Sequence, residues 1–295
     1  MTLLLVLRSG DLVATVAPEL GGRILSLTRE GSEVLWRNTD LLGPDLQPRA
    51  AVPSEPAAGF GDWRNWGGDK SWVAPQGWEG PEQWHGPPDP TFDGGAFAVS
   101  DEHADAVGLV SGDDPATGLR MRRDIALHGD GVTVQTTLTN VSAVRRRWAA
   151  WEVVQLPIDD DDLRSGSVRV CTSNTRPPRV LRRLVGDLPV SVSDGFTEVS
   201  IAEAVGKLGF PDYDGWIEYR RASGTGLRLS SALHTGSHPD DSPAQLWMQT
   251  PVPQPIAELG GFHATAALLE LELLSPLVEL APGESVTLAV RWTLF

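Results

Sequence analysis

Apolar and polar positions alternate with a period of two through much of this chain, and the three-to-four-residue rhythm of helices is scarce. Val132, Val134, Thr136 and Leu138 alternate with Thr133, Gln135 and Thr137 ahead of a turn at Asn140-Val141-Ser142, the pattern of a half-buried strand. The clearest such run is the last one, Val286, Leu288, Val290, Trp292 and Leu294, behind a turn at Ala281-Pro282-Gly283-Glu284. The AALLELELL run before that turn reads as its hairpin partner. Near the start, LLLVL, LVATV, ILSL and EVLW are separated by Ser9-Gly10-Asp11 and Glu30-Gly31-Ser32, predicting hairpins of an antiparallel sheet.

Residues 40–100 differ: they are rich in Pro, Gly, Trp and Asp and carry little periodicity. A long irregular stretch within a folded unit tends to carry function or to cover something. Arg147 to Gln155 is a Trp-rich run leading into the acidic cluster Asp159 to Asp162, which reads as a solvated loop. Arg179 to Leu184 and Ser200 to Val205 each fit a short helix or a strand. Missing helical rhythm argues against a doubly wound parallel sheet, and the fold class expected is all-β with mainly antiparallel strands.

The length of 295 residues permits one large all-β unit or two smaller ones. With no internal repeat, low-complexity linker or abrupt charge shift, residues 1–295 read as a single domain. The formal charge of −15 repels phosphate backbones and anionic bilayers, so neither nucleic acid nor membrane is an expected partner. The apolar opening MTLLLVL is cut short by Arg8 and Asp11, well below the ~20 residues of a membrane span, which points to a soluble, cytoplasmic protein without a signal peptide. A lone Cys171 reads as a small buried hydrophobe. Monomer and homodimer fit equally.

Three features suggest chemistry. In ALLELELLS, strand geometry puts Glu270 and Glu272 on one face, about 7 Å apart, opposite Leu269, Leu271 and Leu273. That is the pattern of a solvated strand, or of a general base on a concave sheet. The segment from Gly61 to His85 packs five of the chain's eleven Trp among Gly, Asp, Asn, Lys and His, suiting a pocket where indoles meet C–H faces and polar anchors meet hydroxyls, or a lid those indoles merely anchor. Finally, only two of the 24 basic residues are lysines, Lys70 and Lys207, and a chain that otherwise uses Arg has reason to keep Lys where a compact or titratable ammonium matters. His234 and His238 stand four apart, but Gly236 and Pro239 argue for a loop rather than a metal-binding helix. No phosphate loop, nucleophile elbow or paired cysteines occur, so no metal and no cofactor are expected.

APELGGRILSLTREGSEVLW resembles the opening of galactose mutarotase-like (aldose 1-epimerase-like) proteins, and ELELLSPLVELAPGESVTLAVRWTLF resembles their closing strands. Between them, NWGGDKSWVAPQ and KLGFPDYDGWIEYR look closest to an uncharacterised family of unknown function in that superfamily. The resemblance implies a β-supersandwich that binds a carbohydrate or carbohydrate-like small molecule on its concave face. It further implies an isomerase in which a carboxylate takes the anomeric proton and a histidine protonates the ring oxygen. The base carries over to Glu272, with Glu270 its rival. The acid does not carry over, because aligning WAAWEVVQL with the strand that bears Asn-His puts Trp151 at the histidine's place. Substitutes are His85, His263, Lys70 and Lys207, with Asp69 and Arg23 expected to orient hydroxyls or balance charge and Trp66 and Trp72 to line the pocket. Non-catalytic sugar binding, or altered chemistry on a modified or non-sugar ligand, are the alternatives.

Overall fold

The computed structural model describes residues 1–52, 62–75 and 88–295. Gly131–Asn140 is the expected strand, burying Val132, Val134, Thr136 and Leu138 and exposing Gln135. It lies inside a ten-stranded antiparallel sheet, paired with Ser285–Leu294 on one side and Leu119–His128 on the other. Facing this sheet is a second, seven-stranded one, in which Arg179–Val185, Val205–Phe210, Ala244–Gln249, Leu268–Leu274 and Arg146–Pro157 follow one another. Val278–Leu280 and Asp69–Ala74 also pair with Arg146–Pro157. The N-terminal hairpins form a four-stranded sheet of their own. Helix is confined to a few short turns, and among the described residues no helix is long and apolar enough to cross a membrane.

One continuous apolar core fills the space between the two large sheets. Leu246, Leu269, Leu271 and Leu273 come from one side and Val134, Leu229, Val290 and Trp292 from the other, as aligned sheet packing requires. A buried polar cluster sits within it. Arg123 is ion-paired with Asp69 and lies 3.6 Å from Glu152, while Ser71 donates to Glu152 (2.5 Å) and bonds Thr136 (2.8 Å). Burial pushes the Glu152 carboxyl well above the usual carboxylate range.

Three expectations need correction. Leu268–Leu274 and Ser285–Leu294 are not a hairpin, since the first belongs to the seven-stranded sheet and the second to the ten-stranded one. Each strand has one apolar face, and placing them in opposed sheets lets those faces meet across the core. Between them the chain makes the short strand Val278–Leu280 against Arg146, Arg147 and Trp148. The second correction concerns residues 40–100, which contain the strand Asp69–Ala74, buried at all six positions. A strand covered on both faces shows no alternation, so its sequence resembles a loop. EVLW, third, contributes only Glu33 to a two-residue strand. Of the two ambiguous runs, Arg179–Val185 is a strand and a new strand starts at Val205. Cys171 is half-buried rather than buried.

Candidate functional site

The register of the seven-stranded sheet gathers the chemistry. Directly opposed residues share a face, and the opposed pairs include Val153 with both Lys70 and Glu272, Trp151 with Trp72, and Gln155 with Glu270. They continue with Trp247 against Glu270, Gln245 against Glu272, and Lys207 against Trp247. Both lysines, both glutamates and three indoles therefore project from the face turned away from the core.

Among the described residues an open cleft of about 60 Å³ lies on this face. Its aromatic lining is Trp63, Trp72, Trp151, Trp247 and Phe262, and its polar lining is Asn65, Lys207, Gln249, Glu270 and Glu272. The polar groups form two cation–carboxylate pairs. Lys207 Nζ lies 2.9 Å from Glu272 Oε2, and Lys70 Nζ lies 2.9 Å from Glu270 Oε1. Each ammonium also rests on indole faces, Lys207 at 4.4 Å from the Trp151 ring centre and Lys70 at 4.3 Å from Trp72 and 4.7 Å from Trp63, a favourable contact with the ring quadrupole. Gln155 Nε2 donates to Glu270 Oε1 (2.6 Å), and Trp151 Nε1 donates to Glu272 Oε2 (2.9 Å).

Burial dominates the electrostatics. It pushes the Glu272 carboxyl up to about 7, Lys207 opposing the shift and the neighbouring charge of Glu270 adding to it. It also pushes the Lys70 ammonium down against the pull of Glu270. Two acceptors lining the cleft, Glu272 Oε1 and Asn65 Oδ1, are buried without a hydrogen-bond partner among the described residues. Buried polar atoms are normally satisfied, so these two stand out as acceptors with capacity to spare. A larger cleft of about 540 Å³ lies elsewhere, lined by Arg29, Val34, Tyr219, Arg221 and Leu227. Its two arginines are already engaged by Asp11 and by Asp159 and Asp162, and it lacks the paired acid–base groups of the smaller one.

The wall that carries Trp63 and Trp72 is held by a one-turn helix, Pro90–Asp93. Asp89 caps it, Oδ1 accepting from the backbone of Thr91 (2.8 Å) and Phe92 (3.1 Å). Burial, with Asp114 nearby, pushes the Asp89 carboxyl up to about 7 from 3.8. An acid whose folded pKa lies above its unfolded one binds an extra proton in the folded state, so stability falls as pH rises through that window. Asp89→Asn, a neutral residue that caps equally well, is therefore expected to stabilise the chain at pH 8 by on the order of 1–3 kcal/mol and to change little near pH 4. Urea unfolding at the two pH values checks this, and an equal effect at both would contradict it.

Not every expected residue reaches the cleft. Glu270, Glu272, Lys207, Trp72 and Trp151 line it, and Lys70 lies beneath Trp63 and Trp72 with its ammonium on Glu270. Asp69 does not, because neighbours in a strand point to opposite faces; it accepts from the Ile24 backbone (2.5 Å) and pairs with Arg123 inside the core. Arg23 is wholly buried and spends its guanidinium on the carbonyls of Leu20 (2.7 Å) and Gly67 (3.0 Å) and on Asp93 (3.0 Å). Trp66 packs with Leu20, Leu25, Leu42 and Leu46 in a satellite core. His263 is exposed and bonds the Val252 carbonyl (2.9 Å). His85 lies outside the described residues. Residues that sequence reading missed are Asn65, Trp247, Gln249 and Phe262; the Gln245, Trp247, Gln249 alternation was the available signal, since it puts three polar or amphipathic groups on one strand face.

The architecture has known counterparts. The chain is similar to the structure of a proposed aldose 1-epimerase from Escherichia coli K12, with 15% identity over 100% of this chain and 99% of that one and a TM-score of 0.63. It is similar also to a galactose mutarotase-like protein from Lactobacillus casei (14% identity, 99% of this chain, 100% of that one, TM-score 0.62). A galactose mutarotase related enzyme from Lactobacillus acidophilus gives 10% identity over 99% of this chain and 97% of that one, with a TM-score of 0.64. At these identities the likeness establishes a mutarotase-like, nearly all-β fold. No curated protein sequence matches the chain. Its sequence over residues 4–295 matches the pattern of a domain of unknown function, and the chain belongs to that family, DUF4380.

Proposed function

We propose that the cleft binds an aldose or a close relative and interconverts its anomers, with Glu272 as the proton acceptor. The observation that carries this reading is the state of Glu272. Its carboxyl is fully buried among indoles and pushed up to about 7, one oxygen is held by Lys207 and Trp151, and the other has no partner among the described residues. A base with a pKa near neutrality removes a hydroxyl proton most effectively at neutral pH.

Ring opening requires the anomeric hydroxyl to lose a proton while the C–O bond to the ring oxygen breaks and that oxygen gains one. Glu272 Oε1 accepts the first proton. The Lys207 ammonium, which lines the cleft, supplies the second, and recyclisation after rotation about the carbonyl carbon returns both. Lys207 thus takes the place of the family's histidine, whose aligned position is held by Trp151, an indole that donates hydrogen bonds but does not titrate. The fold likeness to mutarotase-related proteins supports the same assignment. The volume of about 60 Å³ is smaller than the ~150 Å³ that admits benzene, so a pyranose seats only in part within the cleft and extends beyond its open side.

The test is one-dimensional proton NMR of freshly dissolved α-anomers of a panel of neutral aldoses, with and without protein. Faster anomeric equilibration is expected for at least one sugar. Binding by saturation transfer without acceleration would favour a sugar-binding protein, the reading to which Trp151 in the histidine's place lends weight; absence of both would remove the carbohydrate reading.

A further inference from the structure

Asp93 lies outside the cleft, yet its carboxylate takes donors from three separate segments. Trp63 Nε1 donates to Oδ2 (2.7 Å), while Trp72 Nε1 and Arg23 Nη2 both donate to Oδ1 (3.0 Å each). Arg23 in turn is fixed by the carbonyls of Leu20 and Gly67, and it also donates to the Asp93 carbonyl. Asp93 is buried, as is Arg23, so the pair forms where water does not compete and each partner depends on the other.

We infer that Asp93 is a positioning residue, acting through the Trp63 and Trp72 indoles to set the aromatic wall of the cleft, and that Arg23 serves the ligand only by holding Asp93. The geometry beyond the carboxylate supports this. The two indoles meet edge to face at 6.0 Å and together cover the Lys70 ammonium. Trp72 packs edge to face on Trp151 at 5.3 Å, and Trp151 donates to Glu272. A chain of contacts therefore runs from Arg23 through Asp93 and Trp72 to the carboxylate that faces the ligand. An indole has two side-chain torsions, and a hydrogen bond at its far end fixes both, so a ring without that bond no longer presents one stacking surface. Only the choice of sugar as probe rests on the carbohydrate reading; the indole geometry does not.

The first measurement uses the unmodified protein and no ligand. In ¹H–¹⁵N spectra, with indole signals assigned through Trp63→Phe and Trp72→Phe, both Nε1–H protons are expected to exchange slowly with solvent. In Asp93→Asn, which turns one acceptor oxygen into a donor, both signals move and at least one exchanges faster. The aldose selected by NMR is then titrated. Asp93→Asn is expected to raise its Kd or KM by about 10–100-fold, the effect of losing one charge-assisted hydrogen bond, while kcat stays within a few-fold. The triple variant Asp93→Asn/Trp63→Phe/Trp72→Phe is expected to bind no worse than Trp63→Phe/Trp72→Phe, since residues acting through one another are not additive. Fast exchange of both indole protons in the unmodified protein overturns the inference, and so do fully additive Kd effects. If Asp93→Asn does not fold, the exchange measurement on the unmodified protein decides alone. Slow indole exchange with no sugar bound would leave the positioning role standing and dismiss the carbohydrate reading.

Discussion

Lys207→Met is expected to destabilise the protein by about 3–5 kcal/mol at pH 8, the usual effect of stranding a buried charge. Glu272 is fully buried and Lys207, 2.9 Å away, is its cation. Without that ammonium the carboxylate keeps, among the described residues, only the Trp151 indole as donor, and its simplest escape is to take up a proton, which raises its pKa further above the 4.5 of a free glutamate. The sign follows from linkage. A carboxyl whose folded pKa exceeds its unfolded one loses stability as pH rises between the two, so the deficit of the variant shrinks towards pH 5 and grows towards pH 8. Urea unfolding at both pH values reads it. Adding Glu272→Leu should restore much of the loss, because a buried ion pair exchanged for apolar groups is often neutral. A deficit independent of pH would mean that Lys207 contributes packing rather than charge.

Glu272→Gln carries the second large effect. Gln keeps the shape and one oxygen for the Trp151 indole but cannot accept a proton, so anomerisation should slow by about 10²–10⁴-fold. Sugar affinity, followed by Trp fluorescence, should change by less than about tenfold, because the indole walls remain. A rate loss of only a few-fold would move the base to Glu270, which already accepts from Lys70 and Gln155.

The site was readable from the sequence where one strand face differs from the other. In Leu268–Leu274 the alternation put Glu270 and Glu272 on a common face, and the structure has them together in the cleft. Two lysines in a chain of arginines were the other signal, and both sit against these carboxylates. Legibility failed where strands are buried on both faces. Asp69–Ala74 reads as loop, and without its parity Asp69 and Lys70 were both expected at the pocket although adjacent strand residues face opposite ways. Arg23 and Trp66 were misplaced for a different reason: the segments they bond to are distant in sequence, as in the contact between Arg23 and Asp93, 70 positions apart. Asp93 left no local signal, because its importance lies in three donors that only the fold brings together. The false hairpin at the C-terminal end came from reading a turn as if it joined neighbours in one sheet, whereas here it passes between sheets.

In the proposed reaction Glu272 is a base whose ionisation falls near neutral pH. The most direct test is kcat/KM for anomerisation by the unmodified protein across roughly pH 5 to 9, spanning the midpoint expected for such a base. A rate that rises with pH through a single midpoint near 7, where burial places the Glu272 carboxyl, is the predicted result. A profile flat across that range, or one that falls as pH rises through 7, would contradict it.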